Sequence, residues 1–329
     1  MKNIAIVGAG LSGLTAAYFL KNIANITVFE KSRGVSGRMS TRRAGPYSFD
    51  HGAQYFTVRE PIFQNFIEKL KTHKLIERWN ARYVEIDRYT LKNEQKWGIA
   101  EPRYIGVPGM NSIAKFLVNG VNIKLKTMIN QINYNKYWRL KDSNGNIYDN
   151  FDYVVLAIPS VQSIELLPID FKYFSLVNSI EMEPCFALML GLEEKHVFPY
   201  DCARIYNSDI SWLSIDNSKP VRSTSNSSLI VHSTSKYAQK CLYNDSDEII
   251  THLIELASKI LKYDFKNINY KSLHKWMYAN NIYRKLTNPI FFDGNYNLAL
   301  CGDWCLGGRV EGAFMSGYYI AQKFKLEIL

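Results

Sequence analysis

The chain has 329 residues, 47% of them hydrophobic, 14% aromatic and 21% charged. That composition supplies a large core, enough for one big domain or two interleaved ones, and argues against disorder. The formal net charge of +10 suits attraction of an anionic ligand, or else a lysine-rich solvated surface. Lys and Arg are spread along the chain rather than gathered into a stripe, so nucleic acid is not an expected partner. No apolar run approaches the roughly 20 residues needed to span a bilayer, which argues against a membrane partner.

Ile4-Ala5-Ile6-Val7 is an uninterrupted apolar run of the buried parallel-strand type. A helix is predicted over 14–20 and a second strand over 26–29. Between the first strand and the helix stands Gly8-Ala9-Gly10-Leu11-Ser12-Gly13, a GxGxxG sequence. The first glycine allows a tight turn, the second lets backbone approach a pyrophosphate, and the third lets helix and strand pack closely. The phosphate then sits at the positive end of the helix. Glu30, twenty residues beyond Gly10 and at the end of the second strand, can accept hydrogen bonds from adenosine ribose hydroxyls. A cleavable leader would destroy this motif, so the expected location is cytoplasmic.

A polar, glycine-bearing stretch follows over 31–45. Here Lys31, Gly37, Arg38 and Met39 lie just past the acid; Arg38 can neutralise a pyrophosphate while backbone at Ser36 and Gly37 approaches it. Gly52 and Ala53 offer a place where a flat ring can lie against backbone, with Gln54 and Tyr55 next in line for the pocket. Residues 61–96 mix helical periodicity (Ile62, Phe63, Phe66, Ile67, Leu70) with charged, Tyr-rich sequence. Residues 108–110 read as a turn, and Asn111 or Ser112 as the cap of a helix through 118.

Residues 151–159 form another buried strand, stopped by proline. From 161 to 285 strand-like pieces (187–192, 210–215, 229–232) alternate with polar loops, and one helix runs over 247–261. The Ser-rich stretch 218–228 reads as a surface loop, with Lys219 and Arg222 a solvated pair in it. A third apolar strand at 297–300 leads into Gly302-Asp303 and a helix from 310. An Asp there suits the ribityl-phosphate end of a flavin, and a helix start at Arg309 and Val310 suits its pyrimidine. A dehydrogenase with a single NAD domain has no reason to end this way, so the dinucleotide is expected to be FAD. The expected division is an FAD-binding domain of 1–60, 100–160 and 286–329, and a substrate domain of 61–99 and 161–285. The five scattered cysteines complete no zinc pattern, so no metal is expected and they read as reduced, structural thiols.

Seven segments together resemble the renalase family, within the wider amine-oxidase-like flavoprotein group, over nearly the whole chain. They are EKSRGVSGRMSTRR (30–43), DHGAQYFTVR (50–59), VPGMNSI (107–113), NSKPVR (217–222) with IVHSTS (230–235), HKWMYA (274–279) and CGDWCLGGRVEGAFMSG (301–317). The resemblance implies an α/β fold. In it a Rossmann-type FAD-binding domain is interleaved with a mixed-sheet α+β substrate domain, of the amine oxidase and p-hydroxybenzoate hydroxylase kind. It implies a non-covalent FAD and a small-molecule substrate: hydride passes from 2- or 6-dihydro isomers of NAD(P)H to flavin N5, giving NAD(P)+ and, with O2, H2O2. Such a dihydropyridine becomes an aromatic cation directly, so no base is required; the ring must be held flat and water excluded.

On this reading Gln54 is among the residues in contact with the FAD, and Gln54, Tyr55, His232 and His274 line the reaction chamber. The histidines either bond the substrate or are satisfied core residues, and Trp276 either flanks the ring or is structural. Lys219 and Arg222 are the alternative candidates for a substrate phosphate, and Arg309 and Glu311 adjoin the flavin or pair with each other. The chain departs from the family at Ser36-Gly37, where a Gly-Gly doublet is usual, and at Asn280-Asn281-Ile282, where relatives often carry Pro or Gly. A flavin amine oxidase or desaturase, with an aromatic cage and a lysine-held water, is the alternative enzyme. A non-catalytic flavin-binding protein is the alternative of another class.

Overall fold

The computed structural model describes residues 1–222, 226–282 and 288–328; the expected domain boundary at 285/286 lies outside the described residues. Strand β1 (Lys2–Val7), helix α1 (Leu11–Leu20) and strand β2 (Ala24–Phe29) follow one another at the start. β1 lies parallel to β2 on one side and to strand Tyr153–Leu156 on the other, with Ile4, Ala5 and Ile6 fully buried. The complete sheet has six strands, in the order Phe291–Asp293, Leu298–Leu300, Tyr153–Leu156, β1, β2, Asn122–Lys124. Beginning, middle and end of the chain thus pair in one layer, and only the Phe291–Asp293 edge strand runs antiparallel. Uninterrupted apolar runs are what a parallel sheet covered on both faces requires.

The last helix, Arg309–Ile328, lies against α1. Gly317 permits this, because a Cβ there would stand 2.2 Å from the Ser12 carbonyl oxygen. Helix α2 (Pro61–Thr72) buries its stripe of Phe63, Phe66, Ile67 and Leu70 in the same core, with Phe63 and Phe66 centred 4.9 and 4.6 Å from Phe314. The sequence reading gave 61–99 to the second domain; α2 instead packs with the first, because its apolar stripe meets the last helix.

The second sheet has seven strands, in the order Ile268–Asn281, Met182–Leu192, Ser228–Ser233, Ile210–Ile215, Cys202–Tyr206, Arg82–Asp87, Thr90–Lys96. It is mixed, since Cys202–Tyr206 and Arg82–Asp87 run parallel and the other pairs antiparallel. Side chains alternate between its faces. Phe186, Leu188 and Leu190 enter a core covered by helix Ser246–Leu261. Met189 and Gly191 face the first domain, where Tyr47 and Phe49 pack on Met189 and the Tyr47 ring fills the space a Gly191 Cβ would need. Those two aromatics come from the hairpin of β3 (Thr41–Ala44) and β4 (Tyr47–Asp50), which therefore sets the spacing between the domains.

All five cysteines are buried and unbridged, as structural thiols should be; burial pushes the Cys185 thiol up to about 12, far from a reactive thiolate. Among the described residues there is no cluster of metal-ligating side chains, and no helix is long and apolar enough to cross a membrane.

Candidate active site

The glycine turn between β1 and α1 is built by contact. Gly8 has φ of +106°, and a Cβ there would meet the Ala157 carbonyl oxygen at 2.6 Å; at Gly13 it would meet the Gly8 oxygen at 2.1 Å. At Gly10 it would meet nothing within 4 Å, so the space over that residue stays open. Helix α1 begins here with no side-chain cap and no acid in its first turn. Its free N–H groups therefore favour an anion. Glu30 closes one side of the turn: its carboxylate accepts from the N–H groups of Ala9 (2.9 Å) and Ser32 (2.8 Å).

Segment 36–37 rests on the other side. The Ser36 N–H donates to the Ala9 carbonyl at 2.9 Å, and both Ser36 (φ 104°) and Gly37 (φ 52°) adopt left-handed backbone. Of the remaining cofactor candidates here, Leu11, Ser12 and Met39 are buried and Lys31 is exposed. Ser12 Oγ donates to the Ala313 carbonyl at 2.6 Å, tying the turn to the last helix.

Arg38 and Asp303, expected at different parts of a cofactor, meet as a bidentate pair at 2.5 and 3.1 Å, and Arg38 also donates to the Ala279 carbonyl. Gly302 lies against the Trp304 indole, where a Cβ would be 2.3 Å from Nε1. Val310 is buried and Arg309 exposed at the start of the last helix. Glu311 is no partner for Arg309: its carboxylate accepts from the N–H groups of Arg59 (2.6 Å) and Glu60 (2.9 Å) and so caps α2. An open cradle over Gly10, an uncapped helix end, a carboxylate at the end of β2 and an arginine beside them fit a bound dinucleotide.

The second sheet supplies a row of side chains facing this region. Its register sets Trp212 opposite His232, His232 opposite Ala187, and Ala187 opposite His274. The two histidines thus flank a residue whose side chain is a single methyl group. Into the same neighbourhood the 50–54 turn brings His51, whose ring lies 5.0 Å from His274 and stacks at 5.3 Å on Trp276. The His51 carbonyl accepts from Trp276 Nε1 at 2.9 Å and meets His232 Nε2 at 3.2 Å. Burial lowers all three imidazoles to about 4, with His274 and Arg42 reinforcing the effect at His51 and Arg42 at His274. At neutral pH this wall is uncharged.

His232 and His274 are thus brought together, with Trp276. Tyr55 packs at the Trp212 end of this row, 4.8 Å from Trp97 and 5.8 Å from Trp212, its phenol raised by burial. Gln54 lies deeper, bonded by Ser214 and Lys219. His51 was missed in the sequence, although it directly precedes the Gly-Ala pair. Asp50 and Asp216 were missed as well.

Lys219 and Arg222 need the plainest correction. Neither is a solvated loop residue nor free for a substrate phosphate: their side chains are 0% and 2% exposed. Lys219 pairs with Asp216 and with Asp50 (3.4 Å), and Arg222 with Asp50 (2.5 Å). The physical reason is that residues 216–222 fold back over β4, where the Asp50 N–H donates to Asp216 at 3.1 Å. Burial pushes the Asp50 carboxyl up, but Lys219, Arg222, Thr41 and the Met110 N–H together leave it below its ordinary value. For Asp216 burial prevails, reinforced by the Asp50 charge, and its carboxyl is raised.

Comparison with known proteins agrees with this geometry. Residues 6–70 match a model of an NAD(P)-binding Rossmann-like domain, and residues 77–323 match that of flavin containing amine oxidoreductases. Mouse (Mus musculus) renalase is 25% identical over 305 residues, covering 85% of each chain. An Arabidopsis thaliana protoporphyrinogen oxidase is 36% identical over 93 residues, only 18% of its own length. In fold, the chain is similar over 99% of both chains to a putative protoporphyrinogen oxidase from Exiguobacterium (TM-score 0.82, 14% identity) and to a putrescine oxidase variant (TM-score 0.74, 10% identity). The cofactor that these findings and the cradle share is FAD. The chain belongs to the flavin-containing amine oxidoreductase family, as a renalase-like FAD-dependent oxidoreductase.

Proposed function

We propose that this protein is an oxidase of renalase type, taking hydride from 2- or 6-dihydro isomers of NAD(P)H and releasing NAD(P)+, with O2 as the final acceptor and H2O2 as its product. The observation that carries this reading is the uncharged wall of His51, His232 and His274 with Trp276, beside the Gly52-Ala53 turn. A dihydropyridine nucleotide enters with a neutral ring and a carboxamide. Neutral imidazoles can donate to and accept from that amide without adding charge.

FAD, when bound, supplies the two-electron acceptor. Glu30 would hold its ribose hydroxyls, the α1 end with Arg38 its pyrophosphate, and Asp303 with the start of the last helix its flavin end. His232 and His274 would orient the substrate ring; Trp276, its N–H committed to His51, offers a ring face rather than a donor. Arg42, whose charge reaches His51 and His274, opposes retention of the cationic ring that oxidation produces. The alternative of amine oxidation gains little here. Lys219, the buried lysine of this region, is committed to two carboxylates and Gln54, and the Arg42 charge opposes an ammonium substrate.

The test is anaerobic flavin bleaching by chemically isomerised NADH, by authentic NADH and by a panel of amines. Rapid bleaching by the isomers alone is expected. Bleaching by amines and not by isomers would overturn the proposal; none by any compound would favour a binding protein without turnover.

A further inference from the structure

Gln54 sits two residues past Gly52, where a pocket-lining side chain is expected to point at a ligand. Its amide is instead fully engaged inside the protein. Nε2 donates to the carbonyls of Asp50 and of Gly52 (3.0 Å), while Oε1 accepts from Ser214 Oγ (2.7 Å) and Lys219 Nζ (3.3 Å). A primary amide has two N–H donors and one oxygen with two lone pairs, so this capacity is spent. The partners also fix which end is nitrogen: two carbonyls need donors, and an ammonium needs an acceptor. Gln54 is 7% exposed.

Behind it, two carboxylates (Asp50, Asp216) face two cations (Lys219, Arg222), none of the four side chains more than 2% exposed. The main chain of the turn is tied to the same frame. Asp50 donates to Asp216, the His51 carbonyl accepts from Trp276, and the Ala53 N–H donates to the Arg38 carbonyl at 2.8 Å. Gly52 lies so close to Arg38 that a Cβ would be 2.0 Å from that carbonyl oxygen. The turn therefore joins the arginine beside the nucleotide cradle to the face of the second sheet.

We propose that Gln54 is a positioning residue and not a ligand of the substrate. With Asp50, Asp216, Lys219 and Arg222 it forms a buried lattice that fixes the 50–54 turn against Arg38 and so sets the environment of the flavin. The inference rests on the reading that the flavin lies against Gly52 and Ala53. The Gln54 amide is saturated within this network, so a new ligand bond to it would require breaking an internal one.

Two variants test it. Gln54→Glu turns an acceptor toward two carbonyls and adds a third anion to the lattice. Ser214→Ala removes one donor to Oε1 and leaves every charge in place. In each holoenzyme, without substrate, the FAD dissociation constant, the visible flavin spectrum and the flavin reduction potential are measured, followed by the affinity for NAD+. The expected result for Gln54→Glu is FAD held about tenfold more weakly with a shifted spectrum and potential. Ser214→Ala should move the same quantities less, and NAD+ affinity of flavin-loaded molecules should stay within about threefold of the parent. Where Gln54→Glu does not fold, the Ser214→Ala shift decides. Parent-like flavin properties in every variant that folds would overturn the inference, whether or not NAD+ affinity is lost. If the parent itself binds no NAD+, the nucleotide-substrate reading fails while the flavin measurements still decide the role of Gln54.

Discussion

At the glycine turn the site is main chain: Gly8, Gly10, Gly13, Ser36 and Gly37 present backbone, and Glu30 adds one carboxylate. On the second sheet it is side chain, with Trp212, His232 and His274 in one cross-strand row and Asp216, Lys219 and Arg222 in the loop beyond. The two kinds of construction fail differently. A backbone site is sensitive to a single added Cβ and indifferent to most neighbouring side chains. A side-chain site depends on register and on paired charges, so it is sensitive to the loss of one partner.

The largest break is expected at the charges. Asp50→Ala leaves Lys219 and Arg222 buried with one carboxylate between them, and breaking a buried ion pair from one side costs about 3–5 kcal/mol. Urea unfolding should show that loss together with an altered flavin spectrum. Leu188→Ala, on the face of the second sheet turned toward helix Ser246–Leu261 and 0% exposed, should cost about 2–5 kcal/mol through its cavity and leave the spectrum unchanged. Identical spectra for the two variants would remove the distinction between the faces.

Acid offers a graded version of the same break. His51, His232 and His274 stand at about 4 in the folded protein against 6.5 for the free side chain. Between those values the unfolded chain binds more protons. Stability should therefore be independent of these groups above pH 6.5, fall as pH drops from 6.5 to 4, and level off below. Urea midpoints across that range check the direction, and His274→Gln should flatten the slope. An undiminished slope in that variant would place the titration elsewhere.

The backbone site has its own pair. Gly13→Ala drives a Cβ to 2.1 Å from the Gly8 oxygen, so α1 must shift; overpacking of this kind costs about 1–3 kcal/mol even without cofactor. Gly10→Ala enters open space, so the FAD-free protein should lose under about 1 kcal/mol while FAD binding weakens markedly. Melting curves with and without FAD separate the two. Equal losses without FAD would mean that the space over Gly10 belongs to the fold and not to a ligand.

The same contrast explains how much was legible in the sequence. Gly8, Gly13 and Glu30 announce themselves because they are local: strand, turn, helix and acid lie within thirty residues, and each has a steric or hydrogen-bonding reason that can be stated before any fold is known. The parallel sheet and most of its strands follow from the same runs. Lys219 and Arg222 were misread because a Ser-rich stretch resembles a solvated loop, and nothing local reveals that two aspartates, one of them at position 50, wait to neutralise them. His232 and His274 were named through the resemblance, but their juxtaposition across Ala187 escaped for a related cause. Cross-strand register is a property of pairs of strands and cannot be read from either alone. Helix α2 was placed in the wrong layer because its stripe says that it is buried, not against what.

The smallest expected effect is at Ser36, where the chain departs from the usual glycine. Its φ of 104° is left-handed backbone, which costs a residue with a Cβ about 1–2 kcal/mol. Two terms oppose the gain from Ser36→Gly. The Ser36 hydroxyl donates to the Met39 carbonyl at 2.7 Å, a bond contributing about 0.5–1.5 kcal/mol, and glycine adds about 0.5–1 kcal/mol of unfolded-state entropy. These nearly cancel, so stability should change by less than about 1 kcal/mol. The Ser36 N–H bond to Ala9 survives the substitution, and FAD affinity should hold within about twofold. Denaturation and FAD titration of the variant measure both quantities. A loss above about 2 kcal/mol would mean that the hydroxyl, and not the main chain, holds segment 36–37 on the glycine turn, and the backbone character of this site would then have to be given up.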